Sequence, residues 1–260
     1  MTPQQEQSSY HWGTVAPTAN GVQSNACVVG AVKVGRITKA QAHETATPTT
    51  PKAPRQQETL PAIGPLVLGG VNLGKVSGVR SCALTHKVAR SGADSQSVPT
   101  PGAAYANVGA GSVDVDVPDV EGASSEGAQL SGVGVHVSDV DVQAQALPGK
   151  PVEFQCNIVS GQVSIAGAPV LSFPLVVPAN FSTTLPKDGD SPVLVVLNEQ
   201  ITTDEKGIPT RGSNGAYQDD PSATSGYVNA VRICVPGTDI SEIVIGHAAV
   251  IRDPATTDAR

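Results

Sequence analysis

The chain has 260 residues and a formal net charge of −7. Its 16 Lys and Arg residues are scattered, whereas phosphate binding needs clustered positive charge, so we expect no nucleic-acid partner. No apolar run approaches the roughly 18 residues of a transmembrane helix, so we expect no membrane insertion. With 39% hydrophobic residues, the chain is long enough to bury a substantial core.

Aromatic residues make up only 3% of the chain, which also contains 27 Gly and 21 Pro. The core must therefore consist mainly of Val, Ile, Leu and Ala, which favours packed sheets over helices. Short β-branched runs bounded by Gly, Pro or Asp recur throughout. These features predict an all-β fold, either an antiparallel β-sandwich or a jelly-roll-like arrangement, with long Pro- and Gly-rich loops and little or no helix.

The composition divides the chain into three parts. Residues 1–24 are polar and predict an N-terminal tail or arm. Residues 25–252 predict the β-sandwich domain, for which we consider a division into two sub-sheets, 25–103 and 104–252. Residues 253–260 predict a C-terminal tail. The first residues lack the basic and apolar segments of a signal peptide, so an exported protein would be present here in its processed form.

Within the first sub-sheet, residues 26–37 alternate as a strand does. Residues 43–65 contain five prolines among Thr, Ala and Gln, which predicts an extended, polyproline-like strap or linker. Residues 66–73 and 76–88 predict a pair of strands around Gly-rich turns. Residues 91–103 predict a loop.

Residues 105–120 alternate, with Val113, Val115 and Val117 on one side and Asp114 and Asp116 on the other, which predicts a strand with one buried and one solvent-facing side. A second alternating run covers residues 133–146. Its valines switch from odd to even positions at Ser138-Asp139. One inserted residue would cause such a switch, so we predict a β-bulge there.

The stretch 192–253 contains three β-branched runs that are too short for ordinary helices and predict core strands. The connection Thr202–Gly226 is the longest one within this stretch, and loops beyond about 12–15 residues are usually functional or disordered. It is therefore either a solvated excursion or a candidate binding surface. The residues of this surface are Asp204, Arg211, Tyr217, Asp219 and Asp220.

The same stretch resembles a known family. The segments VVLNEQ, GYVNAVRICVPG and SEIVIGHAAV, in this order and separated by a Gly-rich loop, resemble the C-terminal signature of the choice-of-anchor P family. Its members are exported cell-surface proteins of actinobacteria with various C-terminal anchors. Upstream, VSDVDVQAQA and GQVSIAGAPV resemble the family's central strands. The resemblance implies a cell-surface location but no catalytic residue, because the family has no assigned chemistry.

The four cysteines are Cys27, Cys82, Cys156 and Cys234. They are widely spaced and none belongs to a C-x-x-C pair, so zinc-ligand spacing is absent. We interpret them as two disulfides, each contributing about 2–4 kcal/mol. Of the three possible connectivities, Cys27 with Cys82 and Cys156 with Cys234 is favoured because each pair stays within one half of the chain.

No complete catalytic motif is present, neither a nucleophile elbow nor a P-loop nor a zinc-protease signature. His247 lies in an apolar strand and His136 among valines, so either can face inward, and both are interpreted as structural. We therefore predict that the protein is not an enzyme. A hydrolase is kept as a remote alternative, which would need the fold to bring a histidine beside a serine and a carboxylate.

The acidic positions are the strongest remaining signal. Asp114 and Asp116, with Asp139 and Asp141, would lie on neighbouring strands if those two strands pair. Carboxylate oxygens at such density suit Ca²⁺, the only cofactor that we consider. The competing interpretation is that aspartates on a solvent-facing side prevent edge-to-edge aggregation.

Together these features predict a non-enzymatic, secreted structural protein of the cell surface. Its expected partners are further copies of itself, bound through the N-terminal arm or strand edges, or other components of the cell envelope. The alternative is an extracellular binding module for a cell-wall polymer, calcium or a host ligand.

Overall fold

Within the ranges that the computed structural model describes, every regular element is a β-strand. These ranges are residues 22–34, 37–40, 44–46, 55–68, 71–89, 97–117, 132–185, 193–213, 217–235 and 241–252. The all-β prediction is confirmed. No helix in these ranges is long and apolar enough to cross a bilayer. The predicted arm up to residue 21 and the predicted tail 253–260 lie outside the described residues.

One of the two sheets has six strands that follow one another in chain order, each antiparallel to the next. Its strands are β4 (Arg55–Leu68), β5 (Val71–Ala89), β6 (Ser97–Val117), β7 (Val133–Ala146), β8 (Glu153–Ile165) and β9 (Ala168–Ser172). β6 begins inside the loop predicted for residues 91–103. β4 occupies much of the predicted Pro-rich strap, and its prolines are tolerated because it is an edge strand.

The second sheet has seven strands and joins the two ends of the described chain. Its strands are β1 (Val22–Val34), β2 (Ile37–Ala40), β3 (Glu44–Ala46), β10 (Phe181–Leu185), β11 (Val193–Thr203), β12 (Ser225–Val235) and β13 (Ser241–Arg252). β1 pairs with β13, from Val22 opposite Arg252 to Lys33 opposite Glu242. The division into sub-sheets at residue 103 is therefore wrong, because the first strand belongs to the sheet built by the last four.

The two sheets pack face to face around one apolar core. Strands β4–β9 form one continuous meander and β10–β13 another, so sequence neighbours are also neighbours in space. The β-sandwich prediction is confirmed. The jelly-roll alternative is not, because the Greek-key connections of a jelly roll would interleave the strands of the two sheets.

The predicted switch of side-chain phase at Ser138-Asp139 is present in β7. Val137 and Val140 both face the core, and Asp139 between them has a left-handed φ of 48°. The pairing with β8 stays in register across this point, with Ser138 opposite Ser160 and Val140 opposite Ile158. No extra residue is inserted. The predicted β-bulge is therefore absent. Instead, the left-handed residue Asp139 moves the side chains that follow it to the opposite face of the strand.

The reversal is shared by neighbouring strands and crosses each sheet as a row. The register aligns Gly78, Gly111, Asp139 and Val159 in the six-stranded sheet, and Asn198, Ala230, Gly246 and Val28 in the seven-stranded sheet. We call each of these a reversal row. Four of the eight residues, on alternate strands, have a left-handed φ: Gly78, Asp139, Asn198 and Gly246. Paired strands must reverse together, since otherwise one of them would turn its valines to solvent.

A substitution at Gly246 tests the packing of the two reversal rows against each other. A Cβ at this position would lie 2.9 Å from Ala230 Cβ and 3.1 Å from Val140 Cγ1, and the φ of Gly246 is +63°. We expect Gly246→Ala to lower the free energy of unfolding by roughly 2–5 kcal/mol, from left-handed strain of about 1–2 kcal/mol and overpacking of about 1–3 kcal/mol. Urea unfolding measures this loss.

Gly149→Ala is the matched control. Gly149 also has a left-handed φ, +69°, but a Cβ there would meet nothing within 4 Å. Only the strain of about 1–2 kcal/mol should appear. Equal losses in the two variants would contradict the close approach of the two reversal rows.

Candidate functional site

The predicted disulfides are absent. All four cysteines lie in described strands, and no disulfide joins them. Cys27 and Cys234 belong to the seven-stranded sheet, whereas Cys82 and Cys156 belong to the six-stranded sheet. Each predicted pair would have to span the core between the sheets, about 10 Å, whereas disulfides need Cα atoms within about 7 Å. The prediction failed because the two cysteines of each predicted pair lie in different sheets.

A buried polar network lies on the outer face of the seven-stranded sheet, the face turned away from the other sheet. Glu199 comes from β11, Asn229 and Arg232 from β12, and Glu242 and His247 from β13. Each of these residues is at most 2% exposed. Charges this deeply buried are tolerated only when they are paired, so the contacts among them decide whether the sheet is stable.

The strand register brings these residues together. Glu199 lies opposite Asn229, and Asn229 lies opposite His247, so the three form one row. Arg232 follows Asn229 by three residues, a spacing that would put the two on opposite faces of a regular strand. The reversal row crosses β12 at Ala230, between them, and returns Arg232 to the outer face.

Hydrogen bonds run through the whole network. Arg232 Nε donates to Glu242 Oε1, and Arg232 Nη1 lies 3.5 Å from Glu199 Oε1. The other oxygen, Glu199 Oε2, accepts a 2.7 Å hydrogen bond from Asn229 Nδ2. Asn229 Oδ1 then accepts a 2.7 Å hydrogen bond from His247 Nδ1. The neutral ring of His247 therefore carries its proton on Nδ1, because an amide oxygen can only accept.

Burial and neighbouring charges together set the pKa values in the network. Burial raises the pKa of Glu199 above its usual value, against the opposing effects of Arg232 and Asn229. It lowers the pKa of His247 to about 3, so the ring is neutral at pH 7. Burial alone would lower the pKa of Arg232, but Glu199 and Glu242 raise it well above its ordinary value. The network is a buried cation between two carboxylates, and it presents no accessible surface to a substrate.

Sequence reasoning missed this network. The available signal was a charged residue inside a run that is apolar at successive positions, such as Arg232 in AVRICV and Glu242 in SEIVIG. Such runs are typical of strands buried on both faces, where a charge needs a partner. The identity of that partner depends on the register between strands, which one sequence does not contain.

A second polar cluster lies on the outer face of the six-stranded sheet. Asp114 of β6 is opposite His136 of β7, and Ser138 follows two residues after His136. His136 Nδ1 contacts Asp114 Oδ1, and His136 Nε2 lies 3.2 Å from Ser138 Oγ. The side chains of His136 and Asp114 are 45% and 34% exposed. His136 therefore faces solvent, and the expectation that it can face inward is wrong.

The cluster has the connectivity of a serine-histidine-carboxylate relay. With the Nδ1 proton directed to Asp114, His136 Nε2 presents its lone pair to the Ser138 hydroxyl. This is the juxtaposition that the hydrolase alternative required. Ser138 also belongs to a row of serines across four strands, with Ser77, Ser112 and Ser160.

The four candidate calcium ligands do not form one site. Strands β6 and β7 pair, as that prediction required. However, Asp141 lies opposite Gly109, five residues along β6 from Asp114, and this separation corresponds to about 16 Å. Asp116 and Asp139 are separated by the same number of residues. Among the described residues, no group of three or more potential ligands is close enough to bind a metal ion.

The predicted binding loop is folded back onto β11. Tyr217 donates its hydroxyl to Asp219 Oδ1 at 3.3 Å and accepts the Thr202 N–H at 3.1 Å. The Asp220 N–H donates to Thr202 Oγ1 at 3.0 Å. Isolated bridges pair Thr203 with Pro209 and Arg211 with Tyr217, and the carboxylate of Asp204 accepts two backbone N–H groups. The five candidate residues thus belong to an ordered excursion, of which residues 214–216 lie outside the described ranges.

No protein family, no curated protein and no solved structure matches the chain.

The buried network yields a stability prediction. Arg232→Met should lower the free energy of unfolding by about 3–5 kcal/mol, because it removes the buried positive charge that contacts both Glu199 and Glu242. Changing both carboxylates to Gln in the same variant should restore most of this loss. Chemical denaturation of the three proteins measures both effects.

Arg80→Met serves as the control. Arg80 also faces a carboxylate, with Nη2 3.9 Å from Asp141 Oδ2, but the two side chains are 65% and 43% exposed. Removing an exposed pair should cost less than about 1 kcal/mol. A loss at Arg232 as small as the loss at Arg80 would show that the network does not stabilise the sheet.

Proposed function

We propose that this chain is a structural β-sandwich module of the outer cell surface that associates with further copies of itself. The single observation that carries the assembly part is the position of its exposed apolar side chains. Five large hydrophobic residues of the described chain are substantially exposed, and four of them come from β8, β9 and the segment after β9. These four are Val159, Val170, Leu175 and Val176, with Leu175 at 94% and Val176 at 81%. Apolar groups concentrated in this way are typical of interaction sites.

The structural role is supported by the location of the buried network. All five network residues lie in the segments VVLNEQ, GYVNAVRICVPG and SEIVIGHAAV, which carry the resemblance to the choice-of-anchor P family. Their contacts connect strands and are closed to solvent. A network of this kind serves the fold and supplies no chemistry.

The extracellular location rests on the resemblance alone. Disulfides would have been a second, independent argument for an oxidising compartment, and the structure contains none among its four cysteines.

Light scattering on the full chain over a range of concentrations tests the assembly. We expect the mean mass to rise above 26.3 kDa as the concentration increases. High salt should not abolish this rise, because apolar contacts and main-chain hydrogen bonds are not screened as ion pairs are. A single monomeric mass at all concentrations would refute the proposal.

A second candidate function is favoured by the Asp114–His136–Ser138 cluster. In this role, the Ser138 oxygen attacks an activated acyl group and His136 Nε2 accepts the hydroxyl proton. Asp114 stabilises the resulting imidazolium, and the proton passes to the leaving group. Water then hydrolyses the acyl-serine by the same route. The cluster lies on an open, solvent-facing sheet surface, so the substrates would be small activated esters.

A fluorophosphonate probe tests this candidate. Ser138 Oγ would form a bond to phosphorus as fluoride leaves, and peptide mass spectrometry locates the adduct. We expect labelling at Ser138 that falls at least 100-fold in His136→Gln, because a general base contributes about 10²–10⁴-fold. Ser112 lies beside Ser138 in the same row of serines and is the internal control. Equal labelling of Ser112 and Ser138, or labelling unaffected by His136→Gln, would exclude the candidate.

A further inference from the structure

The edges of the two sheets differ in how they are protected against pairing with another strand. The edge strand β4 contains Pro61 and Pro65, and the edge strand β9 has only five residues, one of them Pro169, with a shift in its register. In the seven-stranded sheet, β10 has five residues and β2 has four. Prolines, bulges and short length are the usual means of keeping edges unpaired.

Strand β8 has a long edge with none of these protections. It runs for 13 residues and pairs with β7 along almost its whole length. On its other side, β9 pairs only with Gln162–Ile165. Among the described strands, residues 153–160 therefore have no partner on that side. This segment, EFQCNIVS, contains no proline, lysine or arginine and stays in register with β7. We call it the open edge.

The open edge is also nearly uncharged. Glu153 is the single charged residue of this segment, on a chain whose net charge is −7. Gln155, Asn157 and Val159 are exposed, with Val159 at 54%. Two copies of an acidic chain repel each other over most of their surfaces, and this repulsion is weakest where charge is sparse.

An exposed apolar segment lies beside the open edge. After β9, the Phe173 N–H donates to Gly161 O at 2.9 Å, and Asn198 Nδ2 donates to Val177 O at 3.1 Å. The chain is thus fixed at both ends of the short segment that carries Leu175 and Val176. A segment held in this way keeps its apolar side chains exposed without collapse onto its own core.

We propose that the open edge of β8 pairs antiparallel with the open edge of a second copy of this chain. This inference rests on the proposed self-association and names the surface that performs it. Antiparallel pairing of identical edges is a two-fold interface, in which each copy presents the same segment. It joins two six-stranded sheets into one of twelve strands. It also brings the two sparsely charged edges together and places the Leu175–Val176 segments at the rim of the contact.

The area of the contact between the two β8 edges sets the expected affinity of the dimer. Eight paired residues span about 27 Å, and a single strand pair buries less than the roughly 800 Å² per partner of a standard interface. The dimer should therefore form reversibly, at micromolar concentrations. Main-chain hydrogen bonds supply the pairing, as in other cases of strand addition.

Three lysine substitutions on β8 test the assignment. Gln155→Lys and Asn157→Lys put positive charges on the open edge, which is how natural edges are kept unpaired. Gln162→Lys is the matched control, because Gln162 is exposed on the same strand but is already paired on both sides, with His136 and Ser172. Sedimentation velocity should show at least a 10-fold weaker dimer for the two edge variants and an unchanged dimer for Gln162→Lys. Urea midpoints equal to that of the unmodified chain confirm that each variant is folded.

The outcomes separate this assignment from the broader proposal. If the unmodified chain associates and all three variants associate equally well, the open edge is not the contact, but self-association stands. If the edge variants and the control weaken association equally, the effect is one of charge and the assignment also fails. If the unmodified chain is monomeric throughout, the assignment and the proposed function both fail.

Discussion

Paired strands in both sheets must reverse their side-chain phase in the same row, and the packing of the core follows from this requirement. A single left-handed residue such as Asp139 would turn half of the valines of β7 to solvent if its neighbours did not turn with it. Each sheet meets this constraint with a continuous row of reversals. Gly246 of one sheet approaches Val140 of the other at this level, so the two rows also meet across the core.

The buried charges follow from that constraint. On a regular β12, Arg232 and Asn229 would lie on opposite faces, and Glu199 would be available to only one of them. The reversal at Ala230 places both on the outer face, where Arg232 contacts two carboxylates and Asn229 connects Glu199 to His247. These contacts offset the energetic cost of burying the arginine.

Periodicity was sufficient to predict the class of fold and the phase break in β7, because both are properties of consecutive residues. It was not sufficient for the pairing of β1 with β13, which joins residues more than 200 positions apart in the sequence. The predicted Cys27–Cys82 disulfide failed for that reason, and Cys156–Cys234 failed because β8 and β12 belong to different sheets. The buried polar network could not be predicted for the same reason. Arg232 is recognisable as an unusual charge in an apolar run, but its partners depend on the register between strands. The His136–Asp114 contact depends on register in the same way.

The buried polar residues of the two sheets differ from the residues exposed on their faces and edges. The polar residues with the most perturbed ionisation are enclosed and connect strands to one another. The exposed features are a polar sheet face, an unprotected strand edge and an apolar segment beside it. The proposed self-association rests on these exposed features, and the open edge of β8 is the part of them that we assign to a second copy.

Solution NMR of the isotope-labelled chain measures the reversal of side-chain phase and the buried contacts together. We expect backbone shifts and couplings of positive φ at Asp139 and Asn198, and nuclear Overhauser contacts from Arg232 to both Glu199 and Glu242. Extended φ values at Asp139 and Asn198, with Arg232 in contact with core residues such as Val142, would contradict this expectation.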